Sequence, residues 1–403
     1  MTSFDSSPTL TAWRALLAVA VVFVMLATTG WTAVRHQPSH EPRDIALASW
    51  ARGRIAGHPL PDADAPPYRL AQFFAMLTAT QRTALADRYP LVVGNLNGAP
   101  ITLRYHANRR ALVQARAVER RRMHDVRLSP DGRADALRRM ERFRSMLAHG
   151  RHFLAFDPSG KGHAAEVFGD LDKAERISMV VPGVDTSLLT LERTGPKVNA
   201  APVGMAKSLY AAERAARPGT RTAVIAWADY TAPAGIGMDA ALGNLAARGA
   251  VRLNALVGAL PGTSKVSLFC HSYGSVLCGV AAEELPSRVT DIAVAGSPGM
   301  RVERAAQLHT SAAVWAMRDR NDWIQDVPNM EVGGLGHGAD PVDRGFGARV
   351  VSAGDANGHS GYFVPGTGSL RNFAAIGVGA YGSVTCAGAD SACHKGISGA
   401  EGM

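Results

Sequence analysis

The sequence predicts an α/β fold in which a mostly parallel sheet is covered by helices on both faces. Beyond His152, short apolar runs alternate with longer Ala/Leu-rich stretches, such as 239–260. The runs are rich in β-branched residues, as buried strands are. They occupy 153–156, 177–181, 223–227, 266–270, 292–295, 312–317 and 348–352. Apolar strands that alternate with helices indicate a parallel sheet, and we expect this domain to span 151–380.

The composition is that of a folded protein. Of the 403 residues, 47% are hydrophobic, and 43 Lys or Arg against 34 Asp or Glu give a net charge of +9. Disordered chains have fewer apolar residues. The basic excess is not concentrated in a recognisable nucleic-acid-binding module, so we expect no nucleic-acid partner. The 4 cysteines lack zinc-site spacing, and we expect neither a structural metal nor a cofactor.

The first 34 residues contain a candidate membrane segment. Residues 15–34 carry no charge, and a helix needs about 20 apolar residues to cross a bilayer. A secretory signal has the same character, but Trp31 interrupts the small residues that a cleavage site requires. We therefore favour an uncleaved anchor over a cleaved signal. Arginines follow the span, and the positive-inside rule alone would keep the next domain in the cytoplasm, although long domains obey that rule weakly.

A linker and a helical segment are expected next. Residues 35–67 are rich in proline and indicate a linker with at most one short helix, whereas residues 68–150 have helical spacing of apolar residues. Thr78-x-x-Gln81 has the form of a capping box, Pro90 ends that helix, and 129–132 is a turn that divides a long Arg/Ala-rich stretch. We interpret the arginines of this stretch as a solvated helix face or, alternatively, as contacts to anionic lipid head groups. They are Arg116, Arg120, Arg121, Arg122, Arg138, Arg139, Arg142 and Arg144.

The strongest chemical signal lies where the strand at 266–270 runs into His271-Ser272-Tyr273-Gly274 and then a small-residue helix. A strand, a sharp turn and a helix form the setting in which a serine hydroxyl is exposed as a nucleophile. Small residues two before and two after the serine let strand and helix approach. Here they are Cys270 and Gly274, so the Gly-x-Ser-x-Gly pattern is imperfect. We predict that Ser272 is a nucleophile rather than an ordinary serine at a strand end.

A serine nucleophile needs a histidine base, and the base needs a carboxylate to fix its tautomer. In this kind of fold the chain order is serine, acid, histidine. Asp319 and Asp322 both follow the strand at 312–317, and we favour Asp322 because Trp323 and Ile324 could bury it. His359 follows the last predicted strand and is the candidate base. His337 precedes that strand, and its glycine-rich surroundings lack the strand and helix of a dinucleotide site.

Acyl transfer also needs hydrogen-bond donors for a developing oxyanion. We expect the backbone N–H of Tyr273 to be one donor and that of Val184, in the turn after 177–181, to be the other. The alternative for Val184 is a plain strand-end turn. Trp227 and Tyr230 end the next strand and are candidates for lining the substrate entrance, or else for packing.

Several further motifs, together with these residues, resemble those of a known family over about residues 70–365. They are 90–100, Arg104 with Ala107-Asn108, 153–158, 169–171, 181–184, 270–274 and 296–299. Together they resemble an uncharacterised α/β-hydrolase family that is common in GC-rich Gram-positive bacteria and pairs a helical N-terminal segment with a hydrolase domain. The resemblance implies Ser272 as nucleophile, Asp322 as acid and His359 as base. The sequence departs from the family at Cys270, where glycine is more frequent, and at 227–230, where a glycine is usual.

Together these signals predict a membrane-tethered serine hydrolase that cleaves a small or lipid-like carboxylic ester. The rival interpretation is a non-catalytic envelope scaffold whose basic helices bind anionic lipid or a protein partner. Cys386 and Cys393 lie in the Gly/Ala-rich tail 381–403 and are spaced to form a disulfide, which persists only in an oxidising compartment. Cys270 and Cys278 are expected to stay reduced because strand and helix bury them. The tail therefore favours an extracytoplasmic domain.

Overall fold

The computed structural model describes residues 41–388 and 391–397. The candidate membrane segment at 15–34 lies outside these residues. None of the helices within them has both the length and the apolar character that crossing a membrane requires.

The centre of the fold is an eight-stranded sheet. Its strands are β3 (His152–Asp157), β4 (His163–Phe168), β5 (Arg176–Val181), β6 (Thr222–Ala228), β7 (Lys265–His271), β8 (Val289–Ala295), β9 (Ala313–Met317) and β12 (Arg349–Val350). They lie in the order β12-β9-β8-β7-β5-β6-β4-β3. All neighbouring strands from β12 to β6 are parallel, whereas β4 is antiparallel to both β6 and β3. Two small hairpins lie outside this sheet, β1 (Arg54–Ile55) with β2 (His58–Pro59) and β10 (Glu331–Val332) with β11 (Leu335–Gly336).

Each predicted apolar run overlaps a strand of this sheet, and the parallel pairing of six of these strands confirms a mostly parallel sheet. The sequence did not predict β4, because its Ala-rich sequence with a central Glu166 has little of the β-branched character that marks a strand. Glu166 is buried, and both of its carboxylate oxygens accept hydrogen bonds from Arg151 at 2.6–2.7 Å. The last strand is shorter than predicted, covering only Arg349–Val350.

Alternate strand residues face two separate cores, so both faces of the sheet are covered. Met179 and Leu268 belong to one apolar cluster, whereas their neighbours Val180 and Phe269 belong to the other. The helices that contribute to the first core include α9 (Asn244–Gly258) and α10 (Gly274–Ala281), and those that contribute to the second include α7 (Pro202–Ala216) and α11 (Gly368–Gly377). A short helix, α8 (Met238–Ala241), precedes α9.

The predicted helical segment is present. It consists of α2 (Pro67–Met76), α3 (Ala79–Arg88), α4 (Pro90–Val93), α5 (Ile101–Arg122) and α6 (Pro130–Met146), and α1 (Pro42–Ala51) lies within the predicted linker. Thr78 and Gln81 form the reciprocal capping box at the start of α3, and the Ser129 side chain caps α6 by accepting from the Gly132 N–H. These caps satisfy backbone N–H groups that have no partner inside a helix.

Two asparagines attach this helical segment to the edge strand β3. The Asn95 side chain donates to the Phe156 carbonyl at 2.8 Å and accepts from the Phe156 N–H at 3.1 Å. Asn108 is fully buried, and its amide bridges the carbonyls of Gly94 and Phe153. Asn95 thus supplies hydrogen bonds of the kind that a neighbouring strand would have made.

The four arginines of the Arg/Ala-rich stretch that lie on α6, namely Arg138, Arg139, Arg142 and Arg144, all form ion pairs with carboxylates. The pairs are Arg138–Asp135, Arg139–Glu119, Arg142–Glu192 and Arg144–Glu141, and Arg122 shares Glu119 with Arg139. Arg139 is buried, and it also donates to the carbonyls of Pro158 and Gly160. Packing and ion pairing therefore account for Arg139 and Arg142, whereas Arg138 and Arg144 are exposed, as the solvated-face interpretation expects.

The described part of the tail packs against the sheet. The Ser352 N–H donates to the Thr385 carbonyl, and the Ala387 N–H donates to the Val350 carbonyl. Cys386 and Cys393 form a disulfide with a Cα–Cα distance of 5.5 Å, as their spacing suggested. Their sulfurs lie within 4.8 Å of His394, but because the two sulfurs bond to each other this group does not offer a set of metal ligands.

Candidate active site

Ser272 lies in a sharp turn between β7 and α10, at the carboxyl end of a central strand. Its φ is 56°, in the left-handed region that non-glycine residues rarely adopt. Gly274 makes the turn possible, because a Cβ at that position would lie 2.3 Å from the Val181 carbonyl oxygen. A left-handed serine between a strand and a helix is the backbone geometry of a nucleophile elbow.

A disulfide spans this turn, which corrects the expectation that Cys270 and Cys278 stay reduced. Cys270 ends β7 and Cys278 lies on α10, and their Cα atoms are 6.5 Å apart. Burial was the wrong criterion, because the turn at Ser272 folds α10 back along β7 and brings the two side chains face to face. Both cysteines are buried, so the bond is shielded from solvent.

Asp322 and His359 are hydrogen-bonded to each other at the same edge of the sheet. His359 Nδ1 lies 2.8 Å from Asp322 Oδ1, and because a carboxylate accepts, Nδ1 carries the proton and Nε2 is left with a free lone pair. Asp322 is completely buried. Burial by itself raises the pKa of Asp322, but hydrogen bonds from His359, Tyr362 and the Ile324 N–H outweigh burial and lower the pKa below its usual 3.8.

Among the described residues, Asp319, the alternative acid, makes no hydrogen bond to the His359 ring. Its Oδ1 accepts from the Asn321 N–H at 3.1 Å and from the Gly358 N–H at 2.8 Å. The carboxylate therefore holds the loop that carries His359.

His271 connects the turn at Ser272 to the loop that carries His359. Its Nε2 donates to the His359 carbonyl at 2.6 Å, and the two rings lie 4.8 Å apart. Burial, followed by the neighbouring His359, lowers the pKa of His271 to about 3, so His271 is neutral at physiological pH. The Ser272 N–H donates to the Ala295 carbonyl. The next residue, Gly296, packs against His359, because a Cβ added at Gly296 would lie 3.1 Å from His359 Nδ1.

Within residues 41–388 and 391–397, the Ser272 hydroxyl makes no hydrogen bond to another protein group. Hydrogen bonds of this kind are often long or unformed when no substrate is present. Gly183 closes the other side of Ser272, because a Cβ at Gly183 would lie 2.9 Å from Ser272 Oγ.

Two backbone N–H groups beside Ser272 are available as donors. In the described chain, neither the N–H of Val184 nor that of Tyr273 donates to a protein acceptor. Val184 directly follows Gly183, the residue that packs on the serine, and Tyr273 directly follows the serine itself. Unpaired donors on both sides of a serine can stabilise an oxyanion.

Trp227 and Tyr230 are core residues in the structure and do not line an entrance. Both are buried, and their rings stack with centroids 5.6 Å apart. The Tyr230 hydroxyl lies 2.7 Å from the Pro182 carbonyl oxygen and 3.2 Å from that of Gly183, so it supports the turn that carries Val184. In the sequence, an aromatic residue at the end of a strand looks the same whether its side chain packs in the core or is exposed at the surface.

Trp323 is the aromatic residue that borders the site, and it was not predicted to do so. Its ring lies 4.6 Å from the His359 ring, and 42% of the residue is exposed. The available signal was the position of Trp323 directly after the candidate acid, but that position equally predicts a side chain that buries Asp322.

Comparison with known proteins gives one family match, over residues 157–332, to a family described as alpha/beta hydrolase. An uncharacterised protein of Mycobacterium tuberculosis is 28% identical over 383 residues, covering 80% of this chain and 56% of its own. An uncharacterised protein of Mycobacterium bovis is 35% identical over 161 residues, covering 38% of this chain and 58% of its own. The chain thus spans little more than half the length of these relatives.

Solved structures with lower similarity include the 2,6-dihydroxy-pseudo-oxynicotine hydrolase. It is 13% identical with a TM-score of 0.36, over 84% of this chain and 96% of its own. A dienelactone hydrolase from Anabaena variabilis is 17% identical with a TM-score of 0.34, over 54% of this chain and 90% of its own. The family match, the mostly parallel eight-stranded sheet and the turn at Ser272 together identify residues 157–332 as part of an α/β-hydrolase domain.

Proposed function

We propose that the protein hydrolyses a carboxylic ester through an acyl-enzyme on Ser272. The observation that carries the proposal is the left-handed Ser272 turn beside a histidine whose Nδ1 is bonded to a buried carboxylate. An arrangement that served only the packing of the core would not require a strained serine next to unpaired backbone donors.

In the proposed acylation step, Ser272 Oγ attacks the ester carbonyl carbon while its proton moves to Nε2 of His359. The Oγ–C bond forms, the carbonyl π electrons move onto oxygen, and the N–H groups of Tyr273 and Val184 stabilise the oxyanion. Collapse of this intermediate breaks the bond to the alcohol oxygen, which takes the proton from Nε2. Water then repeats the sequence on the acyl-enzyme, releasing the acid and restoring Ser272.

The roles of the other residues follow from their contacts. Asp322 keeps His359 in the tautomer that presents Nε2 and stabilises the imidazolium formed during each proton transfer. His271, neutral and bonded to the His359 carbonyl, holds the base loop against the nucleophile turn without competing for the proton.

We also propose that the domain works in an oxidising, extracytoplasmic compartment, tethered through residues 15–34. The two disulfides, Cys270–Cys278 and Cys386–Cys393, support this compartment because such bonds are rare in reducing cytosol.

Labelling with a fluorophosphonate probe tests the proposal. The full chain should be labelled covalently at Ser272, and Ser272→Ala should abolish both labelling and the hydrolysis of short p-nitrophenyl esters. Ser297→Ala is a matched control, since Ser297 follows the neighbouring strand β8 and is as buried as Ser272. It should retain labelling. A folded Ser272→Ala protein that hydrolyses the ester at the original rate would rule out the mechanism.

A further inference from the structure

The turn that follows β5, which we call the oxyanion turn and define as residues 182–186, faces Ser272 directly. Strands β5 and β7 are neighbours, with Val181 in register with Cys270. Two residues beyond this pair, a Cβ added at Gly183 would lie 2.7 Å from Ser272 Cβ. Any shift of the oxyanion turn would therefore move the donor proposed for it relative to the serine.

The proposed donor, the N–H of Val184, belongs to the same peptide group as the Gly183 carbonyl. That carbonyl accepts from the Thr186 hydroxyl at 2.9 Å and from the Tyr230 hydroxyl at 3.2 Å. In a planar trans peptide the N–H and the carbonyl oxygen point in opposite directions. Two hydroxyls that hold the carbonyl on one side therefore hold the Val184 N–H on the other side.

Asp185 fixes the next peptide group along the chain. Its N–H donates to the Pro233 carbonyl at 2.8 Å, and its Oδ1 accepts from the Gly235 N–H at 2.8 Å. Asp185 thus binds the loop after β6 with both its backbone and its side chain. Both peptide groups that adjoin Val184 are therefore held, one by hydroxyls and the other by this loop.

The backbone of Asp185 is also strained. Its φ is 58°, in the same left-handed region as that of Ser272. Aspartate and asparagine adopt this region more readily than most residues, because their short polar side chains can bond to nearby backbone groups. Such a conformation persists where the surrounding contacts enforce it. The bonds to Pro233 and Gly235 do so here, at the residue next to the proposed donor.

On the strength of the proposed function, we infer that Asp185 and Thr186 are positioning residues for ester hydrolysis. Through the two peptide groups that adjoin Val184, they aim its N–H at the point where the carbonyl oxygen of the substrate becomes an oxyanion. They act through the backbone and not by contact with the ester. A preorganised donor stabilises the transition state more than the bound ester, so this contribution belongs to kcat rather than to KM.

Two pairs of variants of the full chain separate these hydrogen bonds from other effects of substitution. Asp185→Asn keeps an oxygen for the Gly235 N–H, whereas Asp185→Gly loses that oxygen but still tolerates a left-handed φ. A loss of activity in Asp185→Gly is therefore not caused by backbone strain. Thr186→Ser keeps the hydroxyl that bonds to Gly183, whereas Thr186→Val replaces it with a methyl group of similar size.

Asp343→Gly is the matched control for Asp185→Gly. Asp343 is also exposed, and its Oδ1 accepts from the N–H of a glycine, Gly345, at 3.1 Å. The adjacent Arg344 lines a cleft together with Ala313, the first residue of β9. Asp343 thus lies near the amino end of that strand, whereas Ser272 follows the carboxyl end of the parallel strand β7.

The measured quantities are kcat and KM for a short p-nitrophenyl ester, with kcat expressed per active site titrated to completion by a fluorophosphonate. Misfolded protein is not titrated, so a variant that is only less stable keeps its kcat. Removing an oxyanion donor altogether costs about 10²–10³ in kcat, so we expect Asp185→Gly and Thr186→Val to lose roughly tenfold with little change in KM. Asp185→Asn, Thr186→Ser and Asp343→Gly should stay within about twofold of the original chain.

The inference is overturned if Asp185→Gly or Thr186→Val keeps the original kcat, or if the loss appears in KM instead. It is also overturned if Asp185→Asn and Thr186→Ser lose as much activity as their partners, since the retained hydrogen bonds would then make no difference. These outcomes leave the proposed function standing, because the original chain still hydrolyses the ester. An original chain that neither hydrolyses the ester nor is labelled at Ser272 contradicts the proposed function, and the inference with it.

Discussion

Tyr362 donates a hydrogen bond of 2.5 Å from its hydroxyl to Oδ2 of Asp322 and accepts one of 2.9 Å from the N–H of Asp319. One phenol thus connects the loop after β9 to the loop that carries His359. Because Asp322 Oδ1 already receives His359 and the Ile324 N–H, the tyrosine satisfies the second oxygen of a buried charge.

The first prediction concerns this phenol. Tyr362→Phe removes one donor from Asp322, so the pKa of the acid should rise and ester hydrolysis should fall by roughly tenfold, the effect of one hydrogen bond to a charged group. The acid limb of the kcat/KM profile should move to higher pH. Tyr381→Phe is the matched control, because Tyr381 donates to a different buried acid, Asp291. An unchanged pH profile for Tyr362→Phe would contradict this positioning role.

A second prediction separates the two candidate acids. Asp322→Asn should lower kcat by about 10⁴-fold, because an amide no longer favours the required His359 tautomer. Asp319→Asn should have a far smaller effect, since its remaining oxygen can still accept from Gly358. Steady-state kinetics on a short ester decides between them. A much larger loss of kcat in Asp319→Asn would reverse the assignment of the acid and leave the esterase proposal standing.

The third prediction concerns the disulfide at the nucleophile turn. Replacing Cys270 and Cys278 together by alanine should lower the free energy of unfolding by about 2–3 kcal/mol, the chain-entropy value for a short loop. Ester hydrolysis should also fall, because Ser272 loses a restraint on its strained backbone. The paired control, alanine at Cys386 and Cys393, should lower stability without changing kcat. Equal kcat values for the two double variants would mean that the first disulfide has no part in positioning Ser272.

The fourth prediction is a pH dependence of stability that does not involve the active site. Glu213 is completely buried, and burial raises its pKa to about 8 against the usual 4.5. The folded state therefore keeps a proton that the unfolded state releases. The stabilising contribution is fully present below pH 4.5 and is lost as the pH rises towards 8.

Glu213→Gln removes this titration while keeping an oxygen that can accept from Ser178. Its free energy of unfolding should vary less between pH 5 and pH 8 than that of the original chain, by denaturant titration at each pH. Identical slopes for the two proteins would show that Glu213 is ionised in the folded state.

The sequence predicted the sheet well because buried parallel strands carry nearly continuous apolar runs, as β5 and β7 do at 177–181 and 266–270. It could not predict β4, whose Glu166 is balanced by Arg151, a residue that becomes its partner only in the fold. The turn at Ser272 was predictable because strand, serine and Gly274 are contiguous in sequence. The catalytic role of Ser272 remains a prediction.

Residues that meet only through the fold were harder to predict. The Cys270–Cys278 bond depends on how α10 folds back on β7, and Tyr362 reaches Asp322 across two loops. Trp227 ends a predicted strand and Trp323 follows one, yet Trp227 is completely buried and Trp323 is 42% exposed. Composition does not distinguish these two environments, because they are set by the elements packed on each side.

The attachment of the helical segment to β3 has a consequence for where the catalytic unit begins. A fragment starting at residue 151 would keep every proposed catalytic residue but lose Asn95 and Asn108. The backbone of β3 would then be an open edge, able to pair with the same strand of another molecule. Aggregation of such a fragment would reflect this exposed edge rather than a defect in the proposed catalytic residues, so a soluble fragment has to include the turn after α4 that carries Asn95 and the helix α5 that carries Asn108.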